Sequence, residues 1–332
     1  MIISQCIQEA PGGNGPDLYK TGSPPGWAHA TLSGVDEMLY LTGRPALKSY
    51  LRFVANHAVE YPSEGDLVDE WYAAREIVQT LEREESGAAN GPTIVPLEPE
   101  EEPLLLEFLK DPVQRSSFNT VPAEVAIIEL DTLVVYQKHI DVTHCDRLAA
   151  GLAPSPAQSQ IFRTCLPYDH PSPPVKWSRV DADTWVFMSP SNDLRFLGAF
   201  PILSEHANSY ATFGTVLGGV MLGVGFGSNF LNAIHVEDRL ILHNGSHRAY
   251  TLRKLGVTHV PCIVQHVPSR DALDSVAPRE VRSDADLYLR HPRPPMLRDY
   301  FDPRLCKVFP FERKLQQITV RFETTESFVP GF

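Results

Sequence analysis

Five consecutive residues, Asn244-Gly245-Ser246-His247-Arg248, combine types that together could hold a negatively charged oxygen cluster. They follow an apolar run ending at His243 and precede a helical pattern reaching about Leu255. Gly245 can take a backbone conformation closed to other residues, so a strand can turn abruptly into a helix there. The first amides of a helix lack internal partners and carry a partial positive charge, which makes a helix start an anion site. Ser246 can cap the helix or touch the ligand. His247 adds a donor, and the planar guanidinium of Arg248 can grip two phosphate oxygens at once. The ordinary alternative is a plain turn with Ser246 as N-cap and Arg248 on the surface.

The residues around this loop carry a pattern of their own. The stretch Arg239–Gln265, RLILHNGSHRAYTLRKLGVTHVPCIVQ, resembles the signature of the ParB/sulfiredoxin superfamily. The residues that carry the likeness are Gly245, His247, Arg248, Leu252, Leu255, Gly256, Val260, Pro261 and Val264. A second segment, Leu130–Val142, resembles the first strand and turn of such domains, less specifically. The resemblance implies a ParB/sulfiredoxin-like core with a long insertion, and with a helical N-terminal region read from periodicity the expected fold class is α+β (α/β). It also implies that the loop binds the phosphates of ATP, ADP, CTP or another nucleotide, with Mg2+ brought by those phosphates. Sulfiredoxins carry Gly-Cys-His-Arg and use the thiolate; Ser246 stands there in this chain, so that repair chemistry does not transfer. Partition proteins carry Gly-Glu-Arg-Arg and a two-helix DNA reader, and neither is found here.

Candidate acid/base groups are Glu129, Asp131, Asp141, Glu237 and Asp238. Asp141 lies in the segment that resembles the family's first strand region and Glu129 directly before it, and with His247 they form the expected catalytic set. Lys138 is the expected extra phosphate contact. Phosphoryl transfer asks for a carboxylate near the acceptor and for charge neutralisation. The expected function is therefore a nucleotide-dependent phosphoryl-transfer enzyme or nucleotide hydrolase. The alternative is a non-catalytic nucleotide-sensing or protein-interaction module, and a third reading is a DNA-acting ParB-like protein or nuclease. No metal site held by the protein alone is expected: His139, His144, Cys145 and Asp146 match no zinc spacing, and a glycine turn interrupts His243 and His247.

Charge narrows the partner classes. Of 41 Asp/Glu and 29 Lys/Arg in 332 residues, residues 60–111 hold 15 and 3, leaving the rest balanced at 26 against 26. No basic block would track a nucleic-acid backbone, so nucleic acid is disfavoured and a nucleotide plus a small-molecule or protein partner is expected. Five scattered cysteines without a C-x-x-C pair point to a reducing, cytoplasmic setting. No basic-then-apolar leader opens the sequence, so no signal peptide is expected. Thr212–Leu231 is uncharged and rich in glycine. The reading there is a buried helix followed by a glycine-rich loop; a membrane span is disfavoured because no Lys/Arg or aromatic belt flanks it.

The elements that position the loop are read from periodicity. Residues 1–30 look like an irregular arm. Residues 34–59 suggest two short helices, and Asp66–Glu85 a longer one with an acidic outer face. Residues 86–103 look like an exposed acidic, proline-rich linker. Further strands are expected at Val125–Val135, Thr184–Met188, Leu194–Phe200, Leu231–Val236, Arg239–His243, Val260–Val267 and Gln317–Glu323. The pair Thr184–Met188 and Leu194–Phe200 is expected to form a hairpin, and residues 153–176 a loop. Three regions result: 1–103, 104–270 and an irregular extension 271–332.

Overall fold

The computed structural model describes residues 34–169, 173–191, 193–202 and 218–330. The expected arm at 1–30 and residues 212–217 of the uncharged run lie outside them. The described residues divide into two compact units, one built from residues 34–169 and 227–314 and the other from the described residues between 173 and 226 and from 315–330. The divisions drawn at 103 and 270 fall inside the first unit, because strands from before and after them pair with one another.

Strand β1 (Val35–Leu41) is followed by α1 (Leu47–His57) and α2 (Glu64–Glu84). The first of the two short helices expected here is therefore a strand. Leu39 and Leu41 enter one core while Tyr40 enters another, the two-residue alternation of a strand buried on both faces. Helix α2 matches its periodicity: Leu67, Ala74 and Val78 are buried, Ser63 caps the start, and Gly87 at φ +82° follows the end. The segment read as an exposed linker is partly packed. It contributes β2 (Ile94–Val95), and Glu101 is 1% exposed. Two short helices follow, α3 (Glu102–Phe108) and α4 (Pro112–Ser117).

The centre of this unit is a five-stranded sheet. It contains β3 (Ala123–Glu129), β9 (Asn232–Val236), β10 (Arg239–Asn244) and β11 (His259–Val267), in the order β10-β9-β11-β3-β2. Only β9 and β11 run parallel; the other neighbours are antiparallel. Leu240 and Leu242 of β10 join one core and Ile241 the other, so both faces are covered. On the first face lie α5 (Val142–Ala150), α6 (Gln158–Cys165) and α7 (Ser246–Lys254), contributing Cys145, Phe162, Ala249 and Leu252. Helix α6 occupies a stretch read as loop, since its prolines fall outside the helical turns. The opposite face is covered by short helices α8 (Arg270–Leu273), α9 (Arg279–Ser283) and α10 (Ala285–Leu289), through Leu273, Val281 and Leu289. A second sheet, β12-β1-β4, adds β4 (His139–Asp141) and β12 (Cys306–Glu312), a strand in the region expected to be irregular.

The other unit holds β5 (Lys176–Arg179), β6 (Thr184–Ser189) and β13 (Gln316–Arg321) in one sheet, and β7 (Leu194–Ile202) with β8 (Gly219–Phe226) in another. The expected hairpin between the strands at 184 and 194 does not form: β6 pairs with β5 and β13, and β7 with β8. The described part of the glycine-rich run is therefore a strand, not a helix. Among the described residues no helix is long and apolar enough to cross a membrane.

One buried charge cluster ties distant parts of the first unit together. Arg293, 1% exposed, donates to both carboxylate oxygens of Asp299 at 2.7 and 2.6 Å and to Glu85 at 2.9 Å. Removing one partner of such a group leaves a charge uncompensated away from water, at a cost of about 3–5 kcal/mol. Arg293→Met is accordingly expected to lose about that much stability in urea denaturation; a loss within experimental error would show the cluster to be dispensable.

Candidate functional site

The predicted loop is built where β10 ends. Gly245 stands at φ +91° and turns the chain directly into α7. A side chain there is excluded twice, by the left-handed backbone and by space: a Cβ would lie 2.6 Å from Leu231 Cδ1 and 3.1 Å from its Cα. Asn244 supports the turn, its Oδ1 accepting from the Gly245 amide at 2.8 Å while its Nδ2 donates to the Ser228 carbonyl at 2.9 Å. No side chain caps α7 and its first turn contains no acid. Its last turn carries Arg253 and Lys254, the sign that suits the negative end of a helix. Those two cations are matched by Asp131 and Asp146.

Two segments flank the helix start. Residues 133–138 run along β10, with Val134 donating to the Leu240 carbonyl and accepting from the Leu242 amide, both at 2.9 Å. This places Gln137 against the loop, where its side-chain oxygen accepts from the Ser246 hydroxyl. The Gln137 carbonyl is fixed in turn by the Tyr300 hydroxyl at 2.6 Å, and the His243 carbonyl by the Tyr136 hydroxyl at 2.8 Å. On the other side, residues 228–231 pass the loop. The Leu231 amide donates to Cys165, its carbonyl accepts from Ile263, and Arg248 Nη1 donates to the Asn229 carbonyl at 2.5 Å.

The expected site residues separate into two groups. Asn244, Gly245, Ser246, His247, Arg248 and Asp141 come together; Lys138, exposed, follows directly after Gln137. His247 Nε2 accepts from the Asp141 amide at 3.2 Å, which fixes that nitrogen as unprotonated. The Asp141 carboxylate caps α5 by accepting from the His144 amide at 2.7 Å. Ser246 is 6% exposed and its hydroxyl is taken by Gln137, so it serves the turn rather than a ligand. Glu129 belongs elsewhere. It pairs with His259 and accepts from Thr132, beside the Asp131–Arg253 ion pair at the far end of α7. Nine residues at about 1.5 Å each put that end roughly 13 Å from the loop. Glu129 is thereby removed from the candidate catalytic set. Gln137 and Tyr136 were not singled out in the sequence, since nothing local links them to a loop over a hundred residues away.

Burial sets the electrostatics. Desolvation, followed by the neighbouring His144, His139 and Arg248, pulls the His247 pKa down to about 3. Desolvation also lowers that of His144, whose ring meets His247 edge to face at 5.2 Å. Cys145 and Cys165, both buried, have thiols pushed up to about 12 by desolvation, so neither offers a thiolate. Among the described residues no three or more His, Cys, Asp or Glu side chains converge to hold a metal ion.

Neither a protein-family profile, a curated protein nor a solved structure matches this chain.

The half-buried His247 makes a pH prediction. Its folded pKa lies below the ordinary value near 6.5, so between these limits the unfolded chain binds more protons. Stability should therefore be full above pH 6.5 and fall as the pH drops towards 3. His247→Gln should flatten that slope in urea titrations at stepped pH; an unchanged slope would mean that His247 is not held neutral.

Proposed function

We propose that this protein binds the phosphate groups of a nucleotide at the start of α7, on a ParB/sulfiredoxin-like core. The observation that carries the reading is Gly245 at φ +91°, opening a helix with neither a side-chain cap nor an acid in its first turn, with Arg248 beside it. A helix start of this kind offers backbone donors and positive potential to an anion. The order β10, glycine turn, α7, β11 supports the resemblance in the sequence. Arg248 and the helix amides are the phosphate contacts, and the exposed Lys138 supplies a second cation. Mg2+ would arrive with the phosphates, which supply most of its oxygen ligands.

Two forms of this function differ in turnover. The phosphoryl-transfer or hydrolase form needs a carboxylate or base at the transferred group. His247 is held by the Asp141 amide, the Asp141 carboxylate caps α5, and Glu129 lies at the other end of the helix. These commitments favour the second form, a nucleotide-responsive module that binds without turnover and acts through a partner.

A ligand that binds only the folded chain raises its melting temperature in proportion to the logarithm of its concentration. ATP, ADP, CTP and GTP with Mg2+ should include at least one that does so. Arg248→Ala should remove that shift while the ligand-free melting temperature stays within a few degrees. Equal shifts in the two proteins would overturn the reading. Release of phosphate by the wild-type protein would restore the enzyme form over the module.

A further inference from the structure

At the opposite end of β9 from the glycine turn, three neighbouring strands bring together two histidines and a carboxylate. His235 of β9 and His266 of β11 are direct partners in the parallel register. Glu124 of β3 pairs with Val264, two residues before His266 and so on the same face. The two imidazole Nδ1 atoms lie 3.1 Å apart, with the rings edge to face at 81°. The other nitrogen of His266, Nε2, lies 2.8 Å from Glu124 Oε1. A carboxylate in that position accepts a hydrogen bond from Nε2–H, which leaves His266 Nδ1 as a lone pair that accepts from His235 Nδ1–H; binding of an ion between the two rings moves that proton to His235 Nε2.

The pair opens onto solvent. A cleft of about 260 Å3 is lined by Pro122, His235, Glu237, His266, Val267 and Pro268. The His266 side chain is 37% exposed and that of Glu124 55%, so an ion reaches them without unfolding. Glu237 at the rim is engaged with Arg270 at 3.1 Å and is not counted as a ligand. Asn232, three residues before His235, pairs with Asn244 beside the glycine turn. At about 3.3 Å per residue, His235 stands roughly 10 Å along the strand from that turn. The cleft is therefore separate from the phosphate loop, and nothing in it depends on the function proposed above.

We propose that His235 and His266 form a binding site for a borderline transition-metal ion such as Zn2+, with Glu124 orienting His266 from behind and water completing the coordination in the cleft. Two nitrogens 3.1 Å apart, each about 2.1 Å from one ion, subtend about 95° at it, between octahedral and tetrahedral geometry. Neutral imidazole suits Zn2+, Ni2+ and Cu2+, and the carboxylate–histidine–metal arrangement fixes the tautomer and raises ligand basicity. Rigid neighbouring strands hold both rings, so little ordering is needed when the ion arrives. The two histidines are 31 residues apart in sequence. No short-range spacing exposes them, and the pairing of β9 with β11 creates the site.

The test is calorimetric titration of the full-length protein with ZnCl2. The expected result is one Zn2+ per chain, with binding lost in both His235→Gln and His266→Gln. Glu124→Gln should weaken it by about 10–100-fold, the range for loss of an orienting carboxylate. On the wild-type protein, Zn2+ must shift the imidazole resonances of His235 and His266, a readout that needs no variant to fold. Absence of binding to the wild-type protein, wild-type affinity in either histidine variant, or Zn2+ that leaves these two rings unmoved would each overturn the proposal.

Discussion

The close approach of Leu231 to Gly245 is the contact on which the candidate site depends. With no Cβ at Gly245, the segment carrying Leu231 can lie against the turn, and the backbone can enter its left-handed conformation. The same segment is tied to Cys165 through its amide and to Ile263 through its carbonyl. The turn that starts α7 is thus locked to α6 and to the central strand β11. Any larger residue would have to push apart three elements of the main core, as well as adopt an unfavourable φ.

Around this contact the polar groups divide their work. Asn244 closes the turn and ties it to Ser228, while Ser246 and His247 join it to Gln137 and Asp141, so that hydrogen bonds within the protein set the loop's shape. Arg248 is anchored at Asn229 beside the helix start. This is the division expected of a preorganised anion site: neutral side chains hold the geometry while backbone dipoles and a cation face the charge. It also explains why His247 makes a poor general base. A ring whose Nε2 accepts a backbone hydrogen bond and whose pKa falls to about 3 is a structural acceptor over most of the working pH range.

Local signals were legible wherever one segment determined its own conformation. Gly256 at φ +84° ends α7, the β9–β10 hairpin forms around Glu237-Asp238, and the apolar stripe of α2 faces the core. Legibility failed where the partner decided. Residues 35–41 read as helix because Met38, Leu39 and Leu41 fit either period, and pairing with β4 and β12 makes them a strand. Gly219, Gly223 and Gly225 fall in the run read as a buried helix and glycine-rich loop, yet they lie on a strand whose partner β7 carries Leu197 and Phe200 over Gly223 and Gly225. Glu129 and Asp141 looked equivalent on the chain, and the length of α7 separates them. Gln137 against Ser246, and His235 against His266, appear only once the sheet order is known.

The central claim is that the amides opening α7 receive phosphate oxygens, and backbone resonances report this without any substitution. In an isotope-labelled sample titrated with ATP and Mg2+, the account predicts saturable shifts that are largest at the amides of Ser246, His247, Arg248 and Ala249. Saturable shifts confined to other parts of the chain, with these four amides unmoved, would contradict it.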